Sequence, residues 1–489
     1  MANNTHMGVV GAGLTGCLLG IYLRKFQYKV TLFESREDPR KNQEGGRSIN
    51  LVLTSRGIKA LTGVSEALAE RVMKITVPVF GRTLHQLSSS SSSTTYQPYG
   101  PTPQHCNFSV SRWELNTVLL TFAEEMGCEV HFNHPITHVD IETKTLFFYL
   151  QDPVSTKLYQ QRYTVDHIFG TDGGGSRCRQ SLLGYSEAQG KEVQNISQPL
   201  RYGYKELTMP KPPPEAKMDV FSLHIWPRGS HFLMALPNHD HSYTITLYLP
   251  EKGGDLSFEG LNSPEKVKKY FETYYPDAVE LMPDFVKEYM ENRTGFLGTI
   301  FVNPWTVSDK LALVGDAAHA FTPFFGQGCN CGFEDVSVFS EILEKYQEKG
   351  MKTVFDQYSL SRKSNGDAIG NMALDNFREM MTKTADEKFL LEKAIEIELS
   401  NRFPDLYVSR YVLVTHSLVG YDLCKQVGLI QEKILSELSR GKTSVAQVDF
   451  ALAQKLIQEH LVPFWKKNNI SSKDFNYSSK YYPTQRSKL

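Results

Sequence analysis

Residues 315–335, GDAAHAFTPFFGQGCNCGFED, place an aspartate, a proline and several glycines directly after the apolar run 311–314. The apolar run is typical of a buried parallel strand, and the residues after Gly328 have the spacing of an amphipathic helix. A carboxylate at a strand end can accept hydrogen bonds from a ribose, and the free N–H groups at a helix start can hold a phosphate. We therefore predict that Asp316 and the loop after it contact a phosphate-bearing cofactor, although a tight strand-to-helix turn would explain this segment alone equally well.

A second motif lies near the amino end, where the apolar residues 7–10 lead into GAGLTG at 11–16, a match to GxGxxG. Residues 18–26 predict a helix, and 29–33 predict a second strand that ends at Glu34. Glu34 lies 23 residues after Gly11, close to the roughly 20 expected of a dinucleotide-binding unit. In such a unit Gly11 permits the turn, Gly13 lets the backbone approach a pyrophosphate, and Gly16 lets helix and strand pack closely. Glu34 would then accept hydrogen bonds from the adenosine ribose.

The third motif is GTDGGGSRCR at 170–179, which follows a predicted strand over 163–169. Asp-Gly and Gly-Gly are ordinary turn formers, so by itself this segment would be a glycine turn. Its position between the other two motifs favours a part in the same cofactor site, with Asp172 as the polar contact.

Composition limits the class of protein. With 489 residues, 40% of them hydrophobic, the chain can bury a large core and is expected to form more than one domain. A net charge of −1 gives no electrostatic reason to expect nucleic acid. The seven cysteines are odd in number and scattered, which suits a reduced intracellular protein. Cys329, Cys331 and His319 could be offered as a metal cluster, but Cys-x-Cys lacks the usual ligand spacing, so we expect no metal.

The sequence shows no run of about eighteen apolar residues, so no membrane-spanning helix is predicted. No secretory peptide fits before the first strand. Residues 448–465 predict an amphipathic helix that Pro463 should end. The polar residues 471–489 predict a flexible tail. We expect a cytoplasmic protein, with peripheral attachment to the mitochondrial outer membrane left open if the source is eukaryotic.

Together, the three motifs resemble those of the FAD-dependent aromatic hydroxylases, which are single-component flavoprotein monooxygenases. Further segments narrow the resemblance to the kynurenine 3-monooxygenase branch of that family: GRSINL at 46–51, QPYG at 97–100, GYKEL at 203–207, LHIWP at 223–227 and ALPN at 235–238. The resemblance covers roughly residues 7–420. Animal members carry a carboxyl-terminal membrane anchor and bacterial members do not.

The fold that this resemblance implies is α/β, with a Rossmann-like FAD-binding domain, an antiparallel-sheet substrate domain and a helical C-terminal region. From the chain order we assign 1–80, 105–200 and 300–370 to a discontinuous FAD-binding domain, and 81–104 with 201–299 to the substrate-binding sheet domain. Residues 371–470 form the helical region and 471–489 the flexible tail. We expect the Ser/Thr run at 88–95 to be a solvent loop.

The resemblance implies hydroxylation of L-kynurenine to 3-hydroxykynurenine with NADPH, FAD and O2, through a flavin C4a-hydroperoxide, in tryptophan degradation and the supply of quinolinate for NAD synthesis. The flavin would perform the chemistry, so no catalytic side chain is expected, and the protein would position the ring and exclude water. An FAD-dependent hydroxylase or reductase of another aromatic or isoprenoid substrate remains an alternative, as does a non-catalytic flavin-binding or scaffold protein. The sequence determines neither the oligomeric state nor the preference for NADPH over NADH.

The resemblance also implies a pocket for the α-amino acid head of the substrate. Arg82 matches the family's carboxylate-binding arginine, whose planar fork suits two hydrogen bonds, and Tyr99 matches the tyrosine that shares this contact. Asn376 and Glu379 lie three apart, hence on one helix face, and match an asparagine and a glutamate near the head. The implied set also includes Tyr411 and, beside the flavin ring, Phe324. Without the resemblance, these would be ordinary surface, helix-face or core residues.

For FAD, the implied contacts come from all three motifs and the strands between them. They are Gly11, Gly13, Thr15, Gly16, Phe33, Glu34, Ser35, Arg36, Val52, Arg112, Ile136, Asp172, Asp316, Gly328, Cys329 and Asn330. Arg112 resembles the arginine on the pyrophosphate side, and Asp316 should meet the ribityl chain. The backbone of Cys329 and Asn330 should approach the isoalloxazine. Relatives usually have Met at position 329, and many have an aromatic residue near Thr415 and His416.

Overall fold

The computed structural model describes residues 4–41, 49–87, 93–151, 157–382 and 387–484. Residues 46–48 of the GRSINL segment and residues 88–92 of the Ser/Thr run lie outside these ranges. The strands are β1 His6–Val10, β2 Lys29–Phe33, β3 Asn50–Leu53, β4 Val77–Val79, β5 Gly81–Gln86, β6 Ser93–Pro98, β7 Asn107–Ser111, β8 Glu129–His131, β9 Ile136–Asp140, β10 Thr145–Gln151, β11 Leu158–Thr164, β12 His167–Gly170, β13 Gln194–Met209, β14 Ser222–Pro227, β15 Phe232–Pro237, β16 Tyr243–Pro250, β17 Gly295–Asn303, β18 Thr306–Val307 and β19 Leu311–Leu313. The helices are α1 Leu14–Lys25, α2 Ser55–Val64, α3 Glu66–Met73, α4 Arg112–Glu125, α5 Arg177–Ala188, α6 Pro264–Tyr274, α7 Pro276–Val279, α8 Phe285–Glu291, α9 Asp316–His319, α10 Gly328–Tyr346, α11 Met351–Thr382, α12 Glu387–Arg402, α13 Arg410–His416, α14 Tyr421–Ser439, α15 Phe450–Leu456 and α16 Val462–Lys467.

A mostly parallel sheet has the order β18-β19-β12-β1-β2-β8. Its central strand β1 pairs in parallel with β2 on one side and β12 on the other, and β12 pairs in parallel with β19. These are the strands that precede the three motifs, and the carboxyl ends of parallel strands meet at one edge of a sheet. The sheet therefore brings three distant segments of chain to one edge. This α/β architecture agrees with the fold class expected from the sequence.

A seven-stranded sheet lies beside it, in the order β17-β13-β16-β15-β14-β5-β6. Its pairs are antiparallel except for β14 with β5. Helices α6, α7 and α8 contribute to the buried apolar cluster that covers one face. The other face carries a smaller cluster that includes Phe232 and Tyr248 and packs against Phe324 of the third motif. This second face thus adjoins the cofactor motifs.

Several local expectations need correction. Residues 163–169 are not one strand, because β11 ends at Thr164 and β12 begins at His167. Part of the expected solvent loop is strand β6, which pairs with β5 although its residues are exposed. Pro463 does not end a helix but lies in the first turn of α16, after a π-helical turn at Ile457–Leu461. A proline is tolerated there because the first turn of a helix leaves its N–H groups unpaired.

The carboxyl-terminal residues differ from the expected flexible tail as far as residue 484. Phe475 and Tyr482 are buried, and the Tyr482 hydroxyl lies 2.9 Å from the hydroxyl of Ser55 at the start of α2. The Tyr477 N–H donates to the His416 carbonyl at 2.7 Å. Phe475, Tyr477 and Tyr482 therefore anchor a segment that its polar composition predicted to be loose.

Within the described ranges, none of the helices is both long and apolar enough to cross a membrane.

Candidate functional site

The three glycine-containing motifs contact one another at the carboxyl edge of the parallel sheet. Thr171 of the second motif donates a hydrogen bond to the Gly11 carbonyl at 2.8 Å. A Cβ atom at Gly11 would lie 2.6 Å from the Thr171 carbonyl oxygen, and one at Gly315 would lie 2.9 Å from Thr15 Oγ1. A Cβ at Gly16 would lie only 1.9 Å from the Gly11 carbonyl oxygen. Glycine is therefore required at these positions because neighbouring atoms of the motifs fill the space.

Two other glycines are open to a ligand instead. A Cβ atom at Gly13 or at Gly328 would meet no atom of the described residues within 4 Å. Gly13 precedes α1 and Gly328 begins α10, and neither helix start has a side-chain cap or an acid in its first turn. Unpaired N–H groups at a helix start favour an anion. The backbone at both places fits the phosphates and the ring system of FAD.

Glu34 at the end of β2 is buried, with 5% of its surface exposed. Its carboxylate accepts hydrogen bonds from the Ala12 N–H at 3.1 Å and from Arg36 Nε at 2.8 Å, and Ser35 donates to it at 3.2 Å. Burial would raise the pKa of Glu34, but the hydrogen bonds and charge of Arg36 hold it below its usual value. The ionised carboxylate is thus suited to accept hydrogen bonds from a ribose, as predicted.

The third motif supplies an exposed acid and a half-buried thiol. Asp316 is exposed at the first residue of α9, after Gly315 with a φ of 64°. Burial raises the pKa of Cys329 to about 12, an effect that the charge of Arg112 at the start of α4 opposes. For Asp316, Arg112 and Cys329, contact with the cofactor stays a prediction.

Asn330 serves to fix the loop that precedes α10. Its fully buried side chain donates to the carbonyls of Val52 at 2.8 Å and Gly326 at 3.0 Å, and accepts from the Thr54 N–H at 2.8 Å. These bonds join β3, which contains Val52, to the third motif. The side chain is thus occupied within the protein, and its backbone is what remains available to the cofactor.

Three residues of the predicted cofactor set have other contacts. The Asp172 carboxylate accepts from the N–H groups of Arg177 and Cys178, at 2.7 and 3.1 Å, and so caps α5. Phe33 and Ile136 are buried in the core of the parallel-sheet region, where Phe33 stacks on His131. For these three side chains, a direct contact with FAD stays a prediction.

A network of buried charges lies behind α10. Asp335 accepts from His319 at 2.5 Å and from Arg362 at 2.7 Å, and Arg362 also pairs with Glu334, which contacts Arg56. Burial lowers the pKa of His319, but Asp335 outweighs this effect and raises it.

The cysteine–histidine grouping that the sequence offered, and that we did not expect to hold a metal, is only partly present in this network. The Cys331 sulfur lies 3.9 Å from His319 Nε2, while Cys329 is not among the grouped side chains. His319, Cys331 and Asp335 have the proximity of a metal cluster. However, the guanidinium of Arg362 lies 2.7 Å from Asp335 and 3.6 Å from Cys331. An arginine cation thus occupies the place beside these ligands, and the network links helices α2, α10 and α11.

Arg82 on β5 forms the polar centre of the second half of the site. Its guanidinium lies 5.6 Å from the ring centre of Tyr99 and 5.2 Å from that of Tyr411, which stack on each other at 5.5 Å. Its Nε is buried without a hydrogen-bond partner, and no carboxylate within the described ranges pairs with Arg82. Burial would lower the pKa of Arg82, but the two phenolic oxygens raise it. A charged donor without an acid is an anion-binding arrangement.

Phe324 of the third motif is held by Asn376 of α11. Asn376 on α11 donates to the Phe324 carbonyl at 2.7 Å. The Phe324 ring packs against Tyr248 of the seven-stranded sheet and Phe377 of α11, with centre distances of 5.5 and 4.7 Å. By contrast, Glu379 pairs with Arg410 at 3.4 Å. Its carboxylate is therefore directed to a cation next to Tyr411 in sequence, and a substrate contact for Glu379 stays a prediction.

Sequence reasoning missed Asn107 and gave no role to His416. Asn107 at the start of β7 is buried and donates to the Tyr411 hydroxyl at 3.2 Å. His416 at the end of α13 is buried beside His105, and neither of its ring nitrogens has a partner within the described part of the chain. No signal singled out Asn107, because Ser109 and Ser111 of the same strand are polar as well.

Comparisons with known proteins support one assignment of family. Residues 4–372 match the family model described as "FAD binding domain". The chain is 42% identical over 471 residues to the "Kynurenine 3-monooxygenase" of Myxococcus xanthus, covering 96% of this chain and 98% of that protein. It is 39% identical over 440 residues to the protein of the same name from Flavobacterium johnsoniae, covering 90% and 94%.

A solved structure supports the fold. The tetrameric form of 2-methyl-3-hydroxypyridine-5-carboxylic acid oxygenase superposes with a TM-score of 0.61 at 18% identity, covering 81% of this chain and 98% of that one. At this identity the likeness concerns the architecture alone. With its FAD-binding match and its relatives along nearly the whole length, the chain belongs to the kynurenine 3-monooxygenase family of FAD-binding proteins.

Proposed function

We propose that this chain is an FAD-dependent monooxygenase that hydroxylates L-kynurenine to 3-hydroxykynurenine, with NADPH as reductant and O2 as oxidant. Membership of the family supports the reaction class. The single observation that supports the substrate is the state of Arg82, a cation that lies between two tyrosines. The Nε of Arg82 has no hydrogen-bond partner, and its guanidinium pairs with no carboxylate of the described residues. An α-carboxylate supplies the missing acceptor.

FAD, when bound, supplies hydride acceptance from NADPH and the activation of O2. The residues of this chain bind and orient. Helix starts at Gly13 and Gly328 hold the cofactor through backbone N–H groups, and Glu34 accepts from its ribose. Aromatic side chains around Phe324 form an apolar wall in the region between flavin and substrate. This wall excludes water from the reacting ring.

Substrate orientation follows from the direction of the polar groups. Arg82 and its tyrosines hold the amino acid head at β5, and Asn376 fixes Phe324 on the side of the third motif. Held at its head, the substrate extends its aromatic ring toward the loop that begins α10. The amino group of the kynurenine ring activates the neighbouring carbon, so correct placement reduces the need for a protein base.

The domain assignment remains part of this proposal. The parallel sheet would belong to a discontinuous FAD-binding domain and the seven-stranded sheet to a substrate-binding domain, with α11–α16 closing the pocket. All seven cysteines are free thiols, which supports a reducing, cytoplasmic location.

The experiment is a reaction of the purified FAD-bound protein with kynurenine, NADPH and air, followed by mass spectrometry of the product. We expect 3-hydroxykynurenine in proportion to the NADPH oxidised, and NADPH oxidation that kynurenine stimulates. A yellow protein that oxidises NADPH without any hydroxylated product would contradict the proposed reaction. Hydroxylation of a different aromatic acid in preference to kynurenine would contradict the proposed substrate.

A further inference from the structure

The amide of Asn107 lies beside Tyr411, one of the two tyrosines that flank Arg82. Its Nδ2 donates to the Tyr411 hydroxyl oxygen at 3.2 Å, and the Tyr411 ring stacks on the Tyr99 ring at 5.5 Å. The Tyr411 oxygen therefore accepts from an N–H donor and keeps its own proton free to donate. A phenolic O–H group and the guanidinium of Arg82 thus present hydrogen-bond donors to a ligand anion.

The second atom of the Asn107 amide is an acceptor with no partner. Asn107 has only 3% of its surface exposed, and its Oδ1 is buried without a hydrogen-bond partner in the described residues. Burying an unpaired acceptor is costly, so buried polar atoms nearly always have a partner, from the protein, water or a ligand. An unpaired acceptor beside a cluster of donors indicates a ligand with opposite charges on neighbouring groups.

We infer that Asn107 is a specificity residue that accepts a hydrogen bond from the α-ammonium group of the substrate through Oδ1, while its Nδ2 orients the Tyr411 hydroxyl. This inference rests on the proposed function and deepens it, because it names the residue that distinguishes an α-amino acid from a simple carboxylic acid. In a zwitterionic head, the ammonium and the carboxylate are attached to one carbon. One small pocket must then offer donors and an acceptor side by side.

The choice of an amide over an acid at this position follows from Arg82. An aspartate at 107 would place a negative charge close to the two tyrosines and to Arg82. That charge would compete with the substrate carboxylate for the guanidinium. A neutral amide provides the acceptor without occupying the anion site. An apolar residue would leave the donors in place but give the ammonium no partner.

His416 is the neighbouring side chain that could provide the same acceptor. Both of its ring nitrogens lack partners within the described ranges, and its ring centre lies 6.5 Å from that of Tyr411. Burial and the nearby His105 lower the pKa of His416 to about 3, so its ring is neutral at physiological pH. Asn107 is preferred because it bonds directly to Tyr411, which flanks Arg82.

The test compares kynurenine with its deaminated analogue, 4-(2-aminophenyl)-4-oxobutanoate, which keeps the ring and the carboxylate. Dissociation constants are measured from the change in flavin absorbance of the FAD-bound protein. We expect the wild type to prefer kynurenine by about tenfold or more. In Asn107→Leu, the preference should fall to within about threefold, with a larger loss of affinity for kynurenine than for the analogue, which still meets Arg82. Asn107→Ser keeps a small acceptor and should retain an intermediate preference.

Specific outcomes would overturn the inference. An equal loss of affinity for both ligands in Asn107→Leu would mean that Asn107 only holds the tyrosines in place. An unchanged preference in both Asn107 variants, or its loss in His416→Phe with retention in Asn107→Leu, would place the acceptor elsewhere. If Asn107→Leu fails to bind FAD, the decision rests on Asn107→Ser, where a wild-type preference contradicts the inference. A wild type that selects kynurenine but forms no 3-hydroxykynurenine contradicts the proposed function alone.

Discussion

The site proposed for this chain has a cofactor half and a substrate half, and the two are built from different atoms. The cofactor half, at the edge of the parallel sheet, relies on backbone N–H groups at helix starts and on glycines that neighbouring backbone requires, such as Gly16 against Gly11. The substrate half relies on side chains from separate elements, with Arg82 on β5, Tyr99 after β6 and Tyr411 on α13. A backbone site depends on a local conformation, whereas a side-chain pocket depends on how distant segments pack. The first should be sensitive to added atoms, and the second to removed charges.

The strongest expected effect is at Gly13. The backbone there has a φ of −74°, which any residue can adopt, and the space beside it is free of described atoms. Gly13→Val should therefore fold but place its side chain where the cofactor approaches. We expect FAD affinity to fall by about a thousandfold or more, about 4 kcal/mol, measured by flavin fluorescence titration of the apoprotein.

Gly184 provides the matched control for that substitution. It is exposed on α5, and a Cβ atom there would also meet nothing within 4 Å. Gly184→Val should keep FAD affinity near that of the wild type. If Gly13→Val bound FAD as tightly as Gly184→Val, the backbone at Gly13 would have no part in the cofactor site.

The next effect is at Arg82, where removal of the charge tests the substrate half alone. Arg82→Met should still bind FAD, but its affinity for kynurenine should fall about a hundredfold, because a charge-assisted contact to a desolvated carboxylate is lost. Arg410 is the comparison residue, since it already pairs with Glu379 and Glu432. Arg410→Met should lower the affinity for kynurenine by less than about tenfold.

Steady-state KM values and flavin content measure both arginine variants. A larger loss in Arg410→Met than in Arg82→Met would move the carboxylate site to the Arg410–Glu379 pair. Such a result would also return Glu379 to the substrate contacts that the sequence predicted.

The smallest effect is expected at Cys329, whose side chain is partly buried. Its thiol is neutral, because burial raises its pKa to about 12. If the cofactor meets the backbone of this residue, Cys329→Ala should change FAD affinity by less than about threefold. Flavin titration measures the affinity, and the visible absorbance spectrum reports the surroundings of the ring. A tenfold loss of FAD would show that the cofactor half also depends on a side chain.

Sequence reasoning reached the cofactor half because its requirements are local. GxGxxG before a helix, and Glu34 at the end of the next strand, are a few residues that a single backbone geometry fixes. The same reasoning failed for elements whose conformation depends on neighbours. Pro463 suggested a helix end, but a preceding π-helical turn lets it begin α16. Residues 471–484 looked loose from their polarity, yet the Tyr482 hydroxyl lies 2.9 Å from the Ser55 hydroxyl of α2, and the Tyr477 N–H donates to the carbonyl of His416 in α13.

By itself, the sequence determined the α/β class and the three motifs proposed to bind the cofactor, and the resemblance added Arg82 and Tyr99 as predicted substrate contacts. Only the tertiary structure decided that Asp172 caps a helix, that Glu379 pairs with Arg410 and that Asn107 bonds to Tyr411 beside Arg82. The physical reason is the range of the interactions. A helix start or a tight turn is specified by consecutive residues, whereas the partner of a buried polar side chain is specified by packing between segments hundreds of residues apart.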